Sequence, residues 1–323
     1  MSASSDSKPS VACVVITYNR DDFIQTCITS LLAARSDTLD VSVTVINNGS
    51  PDNTAEVLAT YPPQDVTAVT NAQNMSLSQA LNDGIDLGLA TGADYMILLN
   101  DDTEMRPGAL EEMVAVCAEV DGSIVTPLQI NYREPDALDH IMLKHVQNTP
   151  DLVTDAVYHR AVKRYYPQDG MIGAAVLAAC DTFKKVGYFD LMFPFYGSDD
   201  DYFVRAKRLG VPLILATQAH MLHMHGRLAT TAAKSTNRGE WQKRWKTNFR
   251  GQQLMKLKQP EKSLPANYIR MFGRSVQSLP KHIGQHGLGV VGPMVTTLAE
   301  LLGAYGKIRD RREEESSRVK ATG

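Results

Sequence analysis

The apolar run Met96-Ile97-Leu98-Leu99 closes on Asn100-Asp101-Asp102, an amide and two carboxylates at the end of a stretch of strand length. In an open α/β sheet the carboxyl ends of strands border the crevice where ligands sit. Hard oxygen donors grouped there suit Mg²⁺ or Mn²⁺ carrying a diphosphate. A polar exit from strand to loop explains the same letters, so the run gains meaning from its company. Thr17-Tyr18-Asn19-Arg20 leaves an earlier apolar run, where loop backbone can meet a nucleobase and Arg20 a phosphate. Asn47-Asn48-Gly49-Ser50 leaves another. Its Asn-Gly pair forces a tight turn, and Asp52 can cap the helix that follows. Asn82 lies beside Ala80 and Gly84, whose spacing of four gives a helix a small-residue face for close approach to a sheet. Asp199-Asp200-Asp201 opens a later helical stretch, where the helix dipole favours carboxylates and keeps Asp199 ionised.

The elements that must carry these residues alternate in type. β-Branched runs at 11–17, 41–47, 66–70 and 95–99 predict strands. Helical spacing fills 21–34, 52–60 and 76–90, with Asp21 or Asp22 and Ser76 or Ser78 as N-caps. The succession βαβαβαβ implies an α/β fold with a mainly parallel central sheet flanked by helices. A helix over 107–119 follows the acidic edge, with Pro107 in its first turn. The stretch 131–166 is of mixed polarity and reads as an insertion or long loop. Beyond it, 180–186 and 199–209 are helical, and 211–216 resumes a strand.

Composition sets the frame. The 323 residues, 43% hydrophobic and 21% charged, fit a soluble globular protein. Four zones follow: a disordered tail (1–10) without a signal-peptide pattern, a catalytic domain (11–239), a basic helical extension (240–308) and a charged, frayed tail (309–323). The formal net charge of −3 is unevenly spread, for ten Lys or Arg residues between Trp241 and Lys281 face one acid, Glu261. Such a segment predicts an anionic partner or surface rather than nucleic acid. The most apolar run, 287–306, contains five glycines, Pro293 and Glu300, which argues against a membrane span. Val291, Val295, Leu298, Leu302 and Tyr305 recur at helical spacing, predicting an amphipathic helix. It would lie on a membrane or pack on the body or a second subunit. Cys13, Cys27, Cys117 and Cys180 are scattered without metal spacing and predict reduced thiols in the cytoplasm. Gly287-Leu288-Gly289-Val290-Val291-Gly292 matches the dinucleotide fingerprint, but no strand precedes it and Pro293 follows, so it carries no such site.

Taken in order, the motifs resemble glycosyltransferase family 2, the inverting nucleotide-sugar enzymes of GT-A fold. Matching stretches are Thr17-Tyr18-Asn19, Asn47-Asn48-Gly49-Ser50, Asn74 through Ala80, Asn82 and Gly84, and Asn100-Asp101-Asp102 in place of Asp-x-Asp. Gly173-Ala174-Ala175, Gly187-Tyr188-Phe189-Asp190, Tyr196-Gly197-Ser198-Asp199-Asp200-Asp201 and Ala219 through His223 continue the match. The likeness covers about residues 10–226. Departures are Asn47 for the Asp that pairs with a pyrimidine N3–H, Asn100 for the first metal-motif Asp, Ser76 for Gly and Ser198 for Glu.

The resemblance implies a GT-A fold and transfer of sugar from a UDP- or dTDP-sugar to a glycan or lipid-linked glycan acceptor. It implies that Asp102 holds Mn²⁺ or Mg²⁺, with His223 or His225 as second ligand, and that Asp199 takes the acceptor's proton. Thr17, Tyr18, Asn19, Arg20, Asn47, Asn74, Asn82, Asn100 and Asp101 would hold the donor. Gly173, Ala174, Asp200 and Asp201 would face the acceptor. The setting would be cell-envelope, capsule or O-antigen synthesis, with the enzyme cytoplasmic or peripheral on the inner membrane face. A sugar-phosphate nucleotidyltransferase shares the sheet, but it should carry a glycine-rich first βα turn, and residues 17–22 contain no glycine. A silent glycan- or nucleotide-binding relative is the other alternative, and donor hydrolysis with Mn²⁺ separates it from a transferase.

Overall fold

A computed structural model describes residues 8–224 and 238–322. The first hundred residues form β1 (Ser10–Thr17), α1 (Ile24–Leu32), β2 (Asp40–Asn47), α2 (Thr54–Leu58), β3 (Val66–Thr70), α3 (Leu77–Ala90) and β4 (Tyr95–Asn100). β1 is paired in parallel with β2 on one side and β4 on the other, and β2 continues in parallel to β3. The order β3-β2-β1-β4 places a reversal of winding between β1 and β4, the position where such sheets open a crevice. Thr17 lies opposite Asn47 and Ile16 opposite Asn100, so three strand ends meet along one edge. Alternation within β1 explains its depth. Val11, Cys13 and Val15 pack into the core on one face, and Ala12, Val14 and Ile16 into the core on the other. A methyl group on Gly84 would come within 2.8 Å of Val14 Cγ1, so the small face of α3 is what admits it to the sheet.

The second half continues with β5 (Thr103–Met105), α4 (Ala109–Glu119), β6 (Ile124–Asn131), α5 (His140–Gln147), α6 (Pro150–Val157), β7 (Tyr165–Pro167) and β8 (Ala175–Ala179). Then come α7 (Cys180–Val186), α8 (Ser198–Arg208) and β9 (Leu213–His223). β8 inserts antiparallel between β4 and β6, and β9 pairs with β5, β6 and β7. The sheet therefore has nine strands, mixed in its second half.

Several local expectations need correction. The stretch 131–166 is no loop: Asp139 caps α5 by accepting from the amides of Ile141 and Met142, and Pro150 starts α6. Helix α1 begins after Phe23 without a side-chain cap, because the 21–22 region is drawn to the neighbouring turn, where Asp52 accepts from the Asp21 amide at 3.1 Å. Pro107 stands before the helix-starting Gly108 rather than inside α4. Ser76 does cap α3, accepting from the Gln79 amide. The disorder expected for 1–10 falls mostly outside the described residues, and Ser10 already belongs to β1.

The C-terminal extension is helical, as its spacing predicted: α9 (Arg238–Lys258), α10 (Leu264–His286), a 3₁₀ turn (Leu288–Val290), α11 (Val291–Gly303) and α12 (Tyr305–Thr322). The dinucleotide-like glycines thus fall on that 3₁₀ turn and the start of α11. The tail expected to be frayed is instead a continuous helix, α12, mostly exposed but held to the body by two of its charges. Glu315 of α12 meets Lys258 at 2.6 Å, and Arg318 donates to the Lys185 carbonyl at 2.9 Å. Phe193, Leu254, Leu257, Met271, Leu301 and Ile308 form a core between the extension and the segment leading to α8. Among the described residues no single helix is long and apolar enough to cross a membrane.

Lys258 binds this assembly together. Its ammonium is buried and lies 2.8 Å from Asp190, 2.6 Å from Asp201 and 2.6 Å from Glu315. Burial alone would pull its pKa down, but the three carboxylates outweigh it and hold the pKa above the ordinary lysine value. Removing the cation leaves buried carboxylates uncompensated, so Lys258→Met is expected to cost about 3–5 kcal/mol in chemical denaturation. A loss under about 1 kcal/mol would show that the cluster relaxes or takes up protons at little cost.

Candidate active site

The strand ends converge as the motif order requires. Asp101 and Asp102 follow β4 and are buried, as is His223 at the end of β9. His223 lies directly opposite Thr103 in the antiparallel β5–β9 pair, which brings it beside Asp102. Its Nδ1 lies 3.0 Å from Gln129 Oε1 on β6, a buried partner that sequence reasoning passed over. With the proton assigned to Nδ1 by that contact, Nε2 turns its lone pair toward Asp102 Oδ1 at 3.4 Å. An imidazole lone pair and a carboxylate oxygen converging in a buried site, with an outer amide fixing the ring, is a donor set that suits a divalent cation. Arg20 approaches the other Asp102 oxygen at 3.7 Å. Burial pushes the Asp101 carboxyl up to about 6, against the pull of Arg20. Its Oδ2 accepts from the Tyr18 amide at 3.3 Å, which ties the first loop to the acidic edge. His225 lies outside the described residues.

The nucleotide side is built from the β1 and β2 exits. Tyr18 is exposed, and Asn19 adopts a left-handed conformation with φ 58° while donating its amide to Ser50 Oγ. Asn47 is buried, and its oxygen already accepts from the Ser50 amide at 3.0 Å. Its Nδ2 and one terminal nitrogen of Arg20 are buried with no hydrogen-bond partner among the described residues. The Asn47 oxygen keeps a second lone pair for the expected N–H, and Nδ2 adds a donor suited to a base carbonyl. Asn74 accepts from Asn48 Nδ2 at 3.0 Å, and Asn48 Oδ1 accepts in turn from Asn71 and Met75. Asn48, missed as a site residue, thus fixes the loop below the crevice.

Two expected ligand contacts are framework instead. Asn82 has both ends of its amide engaged by one residue, donating to the Phe189 carbonyl at 3.0 Å and accepting its amide at 2.7 Å. Asp201 is buried between Arg205 at 2.8 Å and Lys258 at 2.6 Å, so it holds α8 rather than an acceptor. Together with Ser78, which donates to the Phe193 carbonyl, Asn82 ties α3 to the segment that leads into α8.

The acceptor side hangs from the same edge. The Asn100 amide donates to the Ala174 carbonyl at 2.9 Å, which places the start of β8 against the end of β4. Gly173 lies under Asp199, and a Cβ there would sit 2.9 Å from Asp199 Cβ and 3.2 Å from its Oδ2. Asp199, Asp200 and Asp201 occupy the first turn of α8, where the helix dipole favours their charge. Asp200 is open to solvent as a residue, but surrounding protein partly desolvates its carboxyl group, and this, followed by the Asp199 charge, raises its pKa. Gly173→Ala is expected to displace Asp199 and lower turnover by about 10²-fold, the scale of a misplacement near 1 Å. Donor affinity should not change. An unaltered turnover number would show that Asp199 has no fixed part in the reaction.

Comparisons with known proteins bear on the family and the fold. EpsJ of Bacillus subtilis (strain 168), an uncharacterized glycosyltransferase, is 35% identical over 95 residues, covering 27% of each chain. The present chain thus spans about a quarter of that curated relative. The galactofuranosyltransferase GlfT1 of Mycobacterium tuberculosis is 24% identical over 221 residues, covering 67% of this chain and 71% of its own. Mannosyltransferase PcManGT from Pyrobaculum calidifontis, solved with GDP-Man and Mn²⁺, superposes with a TM-score of 0.53 at 15% identity, covering 98% of this chain and 86% of that one. At that identity the likeness establishes the GT-A fold alone. The model of Glycosyl transferase family 2 matches residues 12–179, which is more than half of the 323. The chain therefore belongs to glycosyl transferase family 2 and is built on the GT-A fold.

Proposed function

We propose that this enzyme transfers a sugar from a UDP- or dTDP-sugar, with inversion, to a glycan acceptor in envelope, capsule or O-antigen type polysaccharide synthesis. The observation that carries the reading is one short path. Asp102 and His223 close the edge of β4, Asn100 is bonded to Ala174, and Gly173 seats Asp199. The residues that would serve the diphosphate and the base are thereby linked through one short stretch of backbone at the ends of β4 and β8. Asp102 and His223 would hold Mn²⁺ or Mg²⁺, which supplies Lewis-acid neutralisation of a leaving diphosphate when bound. Arg20 adds positive charge at the same place, and Asn47 Nδ2 meets the carbonyl of a pyrimidine. Asp199 accepts the proton of the attacking hydroxyl, and attack from the face opposite the diphosphate inverts the anomeric centre. Mn²⁺ in the PcManGT structure and the sugar-transfer activity in the name of GlfT1 support the metal and the substrate class.

A panel of nucleotide sugars, each with and without Mn²⁺, tests the reading by thermal protection. UDP- or dTDP-sugars should raise the midpoint only with metal. Protection by purine nucleotide sugars alone, or without metal, would overturn the donor assignment.

The extension suits the surface of an anionic membrane. Ile269 and Val276 on α10 and Leu288, Val295 and Leu302 near and along α11 are exposed, each set at intervals of seven. Arg270, Arg274 and Lys281 are exposed beside the first set. Such a face is expected to bind vesicles more strongly as anionic lipid rises and more weakly as salt is added, since screening acts over about 8–10 Å. Sedimentation with no vesicle binding, and a particle larger than one chain, would assign the face to a second subunit. Either way the enzyme would stay cytoplasmic or peripheral on the inner membrane face.

A further inference from the structure

Both tryptophans of the chain, Trp241 and Trp245, lie one turn apart on α9. With Phe249 they form a column of rings that faces a second column, His282 and His286, on α10. Trp245 stacks on Phe249 at 5.1 Å and meets His282 edge-on at 5.5 Å, while Trp241 lies 5.2 Å from His286. Burial falls along the column, from buried Phe249 to half-buried indoles. These rings line a groove of about 460 Å³. A second groove, about 590 Å³, runs between α8 and α9 and reaches Gly197 and Asp200, on either side of Asp199 in the chain. The two share Tyr196, Asn248 and Gln252 as lining residues, so the ring-lined groove continues to the rim of the site.

The chemistry of this path is specific. An indole carries negative charge density on its face and attracts the slightly positive C–H faces of a sugar ring. Exposed Asn248 and Gln252, bonded to each other at 2.7 Å, offer both donors and acceptors to hydroxyls. His282 has a buried Nδ1 without a hydrogen-bond partner among the described residues. Burial lowers its pKa, so the imidazole is a neutral hydrogen-bonding group. Each groove lies within the roughly 300–1,000 Å³ of ordinary ligand sites. A lipid tail would not need the amides, and Asp169 and Asp200 offset Arg244 and Lys256, so the lining offers no net positive charge to a phosphate.

We infer that the extension carries a second binding site for glycan: a groove from Tyr196 along α9 to Trp241 that holds acceptor sugars remote from the reacting hydroxyl. The inference rests on the glycan-acceptor reading above and specifies how that acceptor is held. It makes the extension part of substrate selection, favouring acceptors long enough to reach Trp245.

Because the chain has no other tryptophan, selectively excited tryptophan emission reports this groove directly. The full-length protein is titrated with bacterial envelope and capsule oligosaccharides of graded length, without donor. Longer oligosaccharides should alter the emission and bind, and short ones should not. Asn248→Trp fills the groove from an exposed position, and Trp241→Ala removes one ring. Each should weaken oligosaccharide binding about tenfold or more, with hydrolysis of the donor sugar unchanged. Trp245→Phe, which keeps the packing on Phe249, should weaken it less. If no oligosaccharide alters the emission, or the variants bind as the wild type does, the groove has no glycan role. Glycan binding without any sugar transfer would sink the transferase reading and leave the groove standing. Transfer whose dependence on acceptor length survives Asn248→Trp would do the reverse.

Discussion

Asp102→Ala is expected to abolish metal-dependent donor binding, and turnover with it. Asp102 faces His223 Nε2 at 3.4 Å and Arg20 at 3.7 Å. A methyl group replaces neither its charge nor its lone pairs. The measurement is a donor titration by calorimetry, with Mn²⁺ and with chelator. Wild-type protein should bind only with the metal, and the variant in neither condition. Full turnover at saturating donor, still dependent on Mn²⁺, would place the ligand elsewhere. Asn100→Asp makes the complementary case. Asn100 contributes its backbone to Ala174 and Thr103, so an added carboxylate should be tolerated and should tighten the metal. A severe loss would give the Asn100 amide its own contact with donor.

Asp199→Asn is expected to leave donor binding intact and to lower transfer by roughly 10²–10⁴. The exchange is nearly isosteric, so the fit against Gly173 is kept while the proton acceptor is lost. Asp201→Asn is the control that separates chemistry from scaffold. It weakens the contacts of Asp201 to Arg205 and Lys258, so it should lower the unfolding midpoint more than it lowers transfer by the folded enzyme. Should transfer survive in Asp199→Asn and vanish in a folded Asp201→Asn, the base has been assigned to the wrong carboxylate.

The parallel half of the fold was legible because its central strands, β1 and β4, are buried on both faces. Runs such as Val11–Ile16 then carry no polar residue to blur them. Motifs that depend on a few adjacent letters at a strand end were equally legible, since pairing register alone brings Thr17, Asn47 and Asn100 together. What escaped was everything fixed by a distant partner. Gln129 is one amide in a strand, and only β9 beside it makes it the partner of His223. Asn82 and Asp201 read as ligand contacts because their motifs do, yet Phe189 and Lys258 had already taken their polar atoms. Counting charge misled in the extension as well. Lys258 is buried, Lys246 pairs with Glu300, and Arg250 donates to the Met192 carbonyl, so part of the basic excess is spent inside the molecule. The tail at 305–322 looked frayed because its inward charges, such as Glu315, cannot be told from solvated ones without the opposing lysine.

The position of β9 bears on how the chain is made. It pairs with β5, β6 and β7, so these strands cannot all be satisfied until residue 223 has left the ribosome. During synthesis the parallel half can assemble first, but β4 awaits β8, and its edge stays open through some 75 residues of elongation. An apolar strand edge exposed for that long invites pairing with a neighbouring nascent chain. Slower translation across 101–174 would prolong this interval, and recoding that stretch for speed would shorten it. Yield of folded enzyme should therefore respond to codon choice there more than anywhere within the extension.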